Sequence, residues 1–221
     1  MGIRTDLALE AAANLRAEAE GGYFQGVELE KDDSYPGLTV NRVHITSPQG
    51  ARAVGKPEGH YITIESPGLT GKDAAAAEHT AKALAAELGR LMPAKPDQQR
   101  PILVVGLGNR AVTPDSLGPR VVARLLVTRH ILALVPDQLD SRSANVAAIA
   151  PGVLGETGME SEEVILALVK RIQPCMVVAI DSLAAMSAGR IATTVQLADT
   201  GISPGAGIGN RRPRLDEKSL G

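Results

Sequence analysis

Two aspartates carry the most specific chemistry in this sequence. Asp115 stands in VTPDSLGP, between an apolar run and the start of a helical pattern, and Asp181 closes the apolar run CMVVAI and precedes SLAAMS. A carboxylate just ahead of a helix start is favoured in its ionised form, whereas a carboxyl at the end of a buried strand favours the protonated form. Paired, one would activate water while the other protonates a carbonyl or a leaving amine, the division that acid–base hydrolysis requires. Either aspartate alone also reads as a helix cap. Asp199, in LADTGISPG, is a third strand-end candidate, although Asp-Thr-Gly is also what a turn needs.

Other chemistries find less support. Gly106-Leu-Gly108-Asn109 lacks the third glycine of a dinucleotide fingerprint, and GxxxxGK[ST] does not occur. This loop and GISPGAGIGN (201–210) read as tight turns that shape a site. His44, His60, His79 and His130 stand outside any HExxH motif or cysteine pair, so the spacing calls for no metal, and nothing calls for a cofactor. Ser116 and Ser182 sit in no GxSxG elbow. Cys175 is the single cysteine, which excludes an intrachain disulfide and fits a buried thiol in a reducing compartment.

The bulk properties agree with a cytoplasmic enzyme. Twenty-three basic and 25 acidic residues, interspersed, give a net charge of −2 with no basic stripe, which argues against direct nucleic-acid binding. No apolar run reaches the length of a membrane span, and the N-terminus has no signal core. Aromatics are only 2% of residues, so the core must be aliphatic, as suits sheets flanked by helices.

The elements that must position the aspartates are legible as periodicities. A helix is predicted over 5–20, followed from 26 to 67 by short alternating runs separated by SYPG, SPQG and KPEG, which read as a small antiparallel sheet. An alanine-rich helix (72–91) leads to the polar stretch 93–100, the candidate boundary between an N-terminal part (7–100) and a core (101–221). Beyond it, strands 102–107, 145–150, 175–180 and 190–198 alternate with helices 117–126 and 161–172. That grammar predicts an α/β fold, a mostly parallel twisted sheet of phosphorylase/hydrolase-like type, with its site at the carboxyl ends of the strands.

Several of these stretches together are recognisable. ILVVGLGNRAVTPDSLGPRVVARLLVTRH, IAPGVLGETGMES, VVAIDSLAAMS and ISPGAGIGNRR, with RTDLALEA near the N-terminus, resemble in order and spacing the germination proteases of spore-forming bacteria. The resemblance implies an aspartic-type endopeptidase of the spore interior that degrades small acid-soluble, DNA-protecting spore proteins during germination. Its proposed catalytic pair matches Asp115 and Asp181. It further implies a self-processing zymogen cut between Asp6 and Leu7, giving a propeptide of residues 1–6, and a homotetramer. Family chains continue into another apolar strand just beyond SLG, so the resemblance implies a core truncated at its C-terminus. Two rival readings are a hydrogenase-maturation-like, nickel-dependent endopeptidase, which also opens with a strand, a GxGN loop and an aspartate, and a non-catalytic module of the same fold.

Overall fold

The computed structural model describes residues 7–18, 25–71, 73–93, 99–140, 143–203 and 214–220. The elements are α1 (Ala8–Glu18), β1 (Val27–Asp32), β2 (Thr39–Ile45), α2 (Pro48–Val54), β3 (Gly59–Glu65), α3 (Ala74–Leu91), β4 (Ile102–Gly106), α4 (Leu117–Val122), α5 (Arg129–Leu134), β5 (Val146–Ile149), α6 (Leu154–Thr157), α7 (Ser161–Ile172), β6 (Met176–Ile180), β7 (Thr194–Ala198) and α8 (Glu217–Leu220). They form two compact units. One takes the described residues of 7–93 and 183–201, the other those of 99–182, 202–203 and 214–220.

The first unit is a four-stranded antiparallel sheet in the order β1-β2-β3-β7. Alternation along the strands sends Val43, Ile45 and Tyr61 to one face, where Ala8 and Ala12 of α1 complete the cluster. Val40, Ile62 and Ile64 go to the other, against Ala83 of α3. The small alanines let the helices approach the sheet closely. Among these apolar side chains lies a fully buried charge, Glu87 on α3, which takes two hydrogen bonds from the Arg42 guanidinium at 2.6 and 3.0 Å. Arg42 also donates to Glu30 and Asp32 on β1. Glu87 chiefly, with Asp32 and Glu30, holds the Arg42 pKa above its ordinary value, against the opposing effect of burial.

The second unit is a three-stranded parallel sheet in the order β5-β4-β6. Leu103, Val105 and Leu107 pack with Ile165 of α7 and with Leu215, which an isolated bridge pairs with Ile202. The helix α7 follows from its sequence: a capping box between Glu160 and Glu163 opens it, Lys170 and Arg171 close it, and its apolar positions recur at helical spacing.

The architecture is α/β, but three expectations change. Residues 190–198 do contain a strand, yet β7 pairs antiparallel with β3 and so belongs to the first sheet. Among the described residues the antiparallel sheet is therefore the larger of the two, not a small lobe beside a mostly parallel one. SPQG is not a turn between strands but the start of α2, capped by the Ser47 hydroxyl and opened by Pro48 at its first position. The helix expected over 117–126 ends at Val122, and His130 lies within the separate helix α5. Cys175 is half-buried, its Sγ donating to the Arg100 carbonyl at 3.4 Å. No helix among the described residues is long and apolar enough to cross a membrane.

Candidate active site

Asp115 and Asp181 both follow the carboxyl ends of neighbouring strands. β4 and β6 run parallel in a register that ends at Gly106↔Ile180, and one residue later the Leu107 N–H donates to the Ile180 carbonyl at 2.8 Å. Asp181 is the next residue on one strand, and Asp115 lies at the end of the loop leaving the other.

Two glycines bring the returning chain down onto these strand ends. A Cβ on Gly106 would lie 2.3 Å from the Gly118 carbonyl oxygen, and one on Gly118 would lie 2.4 Å from Leu107 O, 2.5 Å from Leu107 N and 2.6 Å from Ile180 O. All of those atoms are backbone, so the first turn of α4 rests on β4 and β6 only because no side chain intervenes.

The loop between β4 and α4 folds around Asp115. Thr113–Asp115 form a single 3₁₀ turn, with the Asp115 N–H donating to the Val112 carbonyl at 2.9 Å. The Asp115 Oδ2 accepts the Asn109 N–H at 2.7 Å. Gly108 has a φ of +109° and lies so close that a Cβ would sit 2.0 Å from Asp115 O and 2.9 Å from its Oδ1. Gly108 and Asn109 thus lie directly against a half-buried carboxylate, whereas Gly106 makes room for the start of α4. The hydroxyl of buried Ser116 is turned to Thr113 O at 2.9 Å and serves the loop. Asp181, also half-buried, accepts the Ser182 N–H on Oδ1 at 2.8 Å.

Asp199 belongs to the other unit, in the antiparallel sheet. Its carboxylate meets His60 twice, accepting the His60 N–H at 2.8 Å on Oδ1 and standing 2.8 Å from Nδ1 through Oδ2. Leu7 is 1% exposed at the start of α1, and the adjoining Ala8 N–H donates to Gln196 Oε1 at 2.8 Å. Asp6 and residues 204–210 of the second glycine loop lie outside the described residues.

Sequence reasoning passed over two features. Gly118 falls in sequence within the helical pattern 117–126, where a glycine inside a short run is the signal of a close backbone approach. The other is Glu10, 2% exposed on the core side of α1, where Leu7, Ala8 and Ala12 are also buried. Its Oε2 accepts the Met186 N–H at 2.9 Å, and its Oε1 accepts the Ser187 N–H at 3.2 Å and Arg190 Nη1 at 3.0 Å. Arg190 in turn donates to Glu65 at 2.7 Å. A glutamate among the apolar positions of a helix is the available signal for such a buried ion pair.

A sequence profile of the germination protease family matches residues 5–221. The chain belongs to that family. Among curated germination proteases, that of Caldanaerobacter subterraneus subsp. tengcongensis is 46% identical over 221 residues, covering 100% of this chain and 66% of that one. That of Clostridium perfringens is 44% identical over 223 residues, covering 99% and 66%. That of Priestia megaterium is 40% identical over 225 residues, covering 99% and 60%. The chain thus spans just under two thirds of the length of the germination proteases first matched, and the match includes the loops that hold Asp115 and Asp181.

Proposed function

We propose that this chain carries the catalytic pair of an endopeptidase acting on small acid-soluble spore proteins in the spore interior during germination. Asp115 acts as base and takes a proton from water, whose oxygen attacks the scissile carbonyl carbon. Asp181 acts as acid and gives its proton to the departing nitrogen, so that the C–N bond breaks into a carboxylate and an amine. The observation that carries this reading is the pairing of β4 with β6, because it puts two aspartates at the carboxyl ends of adjacent parallel strands, where α/β sheets hold their ligands. Membership in the germination protease family supports a protein substrate.

The same reading makes the chain a zymogen that cuts itself between Asp6 and Leu7, releasing residues 1–6, and that assembles as a homotetramer. The parallel unit is then part of a twisted phosphorylase/hydrolase-like sheet. Asp115→Asn and Asp181→Asn are each expected to abolish cleavage of a spore-protein peptide and self-processing while leaving the circular dichroism melt unchanged. A full-length family member serves as the positive control. Normal turnover by either variant would sink the pair.

A further inference from the structure

Apolar side chains are left in water at the end of the parallel unit from which Asp115 and Asp181 depart. Of the nine large apolar side chains exposed among the described residues, four lie on the loops of that end: Val112 and Leu117 beside Asp115, and Leu154 and Met159 on loop 150–160. They are between 43% and 51% exposed, and none joins the apolar cluster that Ile165 and Leu215 complete. Register puts the two loops side by side. β5 runs parallel to β4 and pairs Ile149 with Val105, so both loops leave the carboxyl ends of strands roughly 4.8 Å apart.

Loop 150–160 keeps its shape without those side chains. The Ser161 hydroxyl donates to the Gly152 carbonyl at 2.9 Å and closes the base of the loop. At its tip α6 ends in a left-handed cap, where Gly158 has a φ of +72° and its N–H donates to Leu154 O at 2.8 Å. The Thr157 hydroxyl donates to the Val153 carbonyl and accepts the Met159 N–H, both at 3.2 Å. Backbone and hydroxyl bonds therefore fix the loop, and Leu154 and Met159 project from it. A loop already ordered loses little freedom when a partner covers it.

The chemistry of the place decides what that partner is. An endopeptidase must hold an extended chain across the groups that cut it, and because every peptide offers the same backbone, apolar surface beside the cut is what selects among side chains. We propose that Val112, Leu117, Leu154 and Met159 form the substrate-binding rim of the site, taking apolar side chains of a peptide that crosses the carboxyl ends of the parallel sheet. The inference rests on the reading of Asp115 and Asp181 as the cutting pair. Leu154 and Met159 are then specificity-determining residues, which touch the substrate away from its scissile bond.

The probe is the synthetic peptide MGIRTDLALEAA, residues 1–12 of this sequence, which spans the proposed cut and carries a fluorescent label at its carboxyl end. Its binding to the full chain in an Asp115→Asn background is followed by anisotropy, so that affinity is read without turnover. A dissociation constant below about 1 mM is expected. Leu154→Asn and Met159→Gln should each weaken binding about tenfold, as should serine in place of Ile3, Leu7 and Leu9 of the peptide. Leu126→Asn is the control and should change nothing: Leu126 is exposed, but it stands two residues before Thr128, whose N–H donates to Val146 at the amino end of β5. In a methyl-labelled chain the Met159 methyl resonance should shift as peptide is added. No binding up to about 1 mM, an affinity that both substitutions leave unchanged, or a Met159 methyl that stays in place would each overturn the proposal. So would a loss of self-association in Leu154→Asn without a change in peptide affinity, which assigns the rim to a second copy of the chain. Cleavage of the peptide by the Asp115→Asn chain would refute the aspartate pair alone, and the affinities would still decide the rim.

Discussion

The Leu107 N–H and the Ile180 carbonyl meet at 2.8 Å, one residue past the last registered pair of β4 and β6. This bond closes the strand ends from which the two aspartates depart, and Gly118 rests directly on both of its partners. Adding a methyl at Gly118 must therefore spread the strands or lift α4. Gly118→Ala is expected to cost about 1–3 kcal/mol of stability and to depress peptide cleavage. The control is Gly89→Ala, where a Cβ meets nothing within 4 Å in the last turn of α3. That change should stabilise by about 0.5–1 kcal/mol. Urea denaturation of the two variants should give opposite signs.

Glu10 predicts a local effect as well as a global one. Glu10→Ala removes the acceptor of two backbone amides and the partner of Arg190. Leaving Arg190 with one fewer partner and two amides unpaired should cost about 2–4 kcal/mol. Hydrogen exchange is the sharper measurement: the Met186 and Ser187 amides should lose their protection while the amides of β2 keep theirs. Continued protection at 186 and 187 would show that Glu10 does not hold this segment.

The acid limb of stability should report on Asp32. Hydrogen bonds from Ser34, then from Arg42, lower its pKa from 3.8 to about 2. A carboxyl depressed in the folded state stabilises above its unfolded pKa, and that contribution disappears as pH falls from 3.8 towards about 2. In Asp32→Asn, stability should therefore fall less steeply across this window than in the parent chain. Denaturant titrations at a series of pH values across it measure the slope, and parallel slopes would refute the assignment.

The proposed self-cleavage meets a steric condition. Leu7 is 1% exposed and the Ala8 N–H is held by Gln196, so a protease reaches the Asp6–Leu7 bond only after the first turn of α1 leaves its seat. Gln196→Ala removes one hydrogen bond from the seated form, worth about 1 kcal/mol. Processing should then accelerate roughly fivefold, followed by mass spectrometry as the appearance of a chain beginning at Leu7. An unchanged rate would mean that opening does not limit the cut.

How much of this was legible follows from what periodicity encodes. The strands β4, β5 and β6 and the helix α7 announce themselves because an apolar run or a 3.6-residue stripe is a local property. TVQLA announces a strand equally well, but its burial is the same beside either sheet, so nothing local chooses β3 as its partner. The Ser-Pro that starts α2 reads in sequence equally as a cap or a turn, because the apolar face of so short a helix is too brief to show periodicity. The stacking of His44 on His60 is hidden for a different reason. It is made by strand register, which brings together residues that the sequence separates by a connection containing α2.

The return of β7 to the first sheet also sets an order of events during synthesis. The chain lays down β1, β2, β3 and α3, then emits all of 94–182 before β7 is available to pair with Glu65 through Tyr61. Until then the outer edge of β3 has its backbone groups unmatched, a template for any other extended chain nearby. The nascent chain thus carries an unfinished antiparallel sheet past the point where β4, β5 and β6 have all been synthesised. Slow translation through 94–182 lengthens that interval and a chaperone that shelters strand edges lessens its hazard.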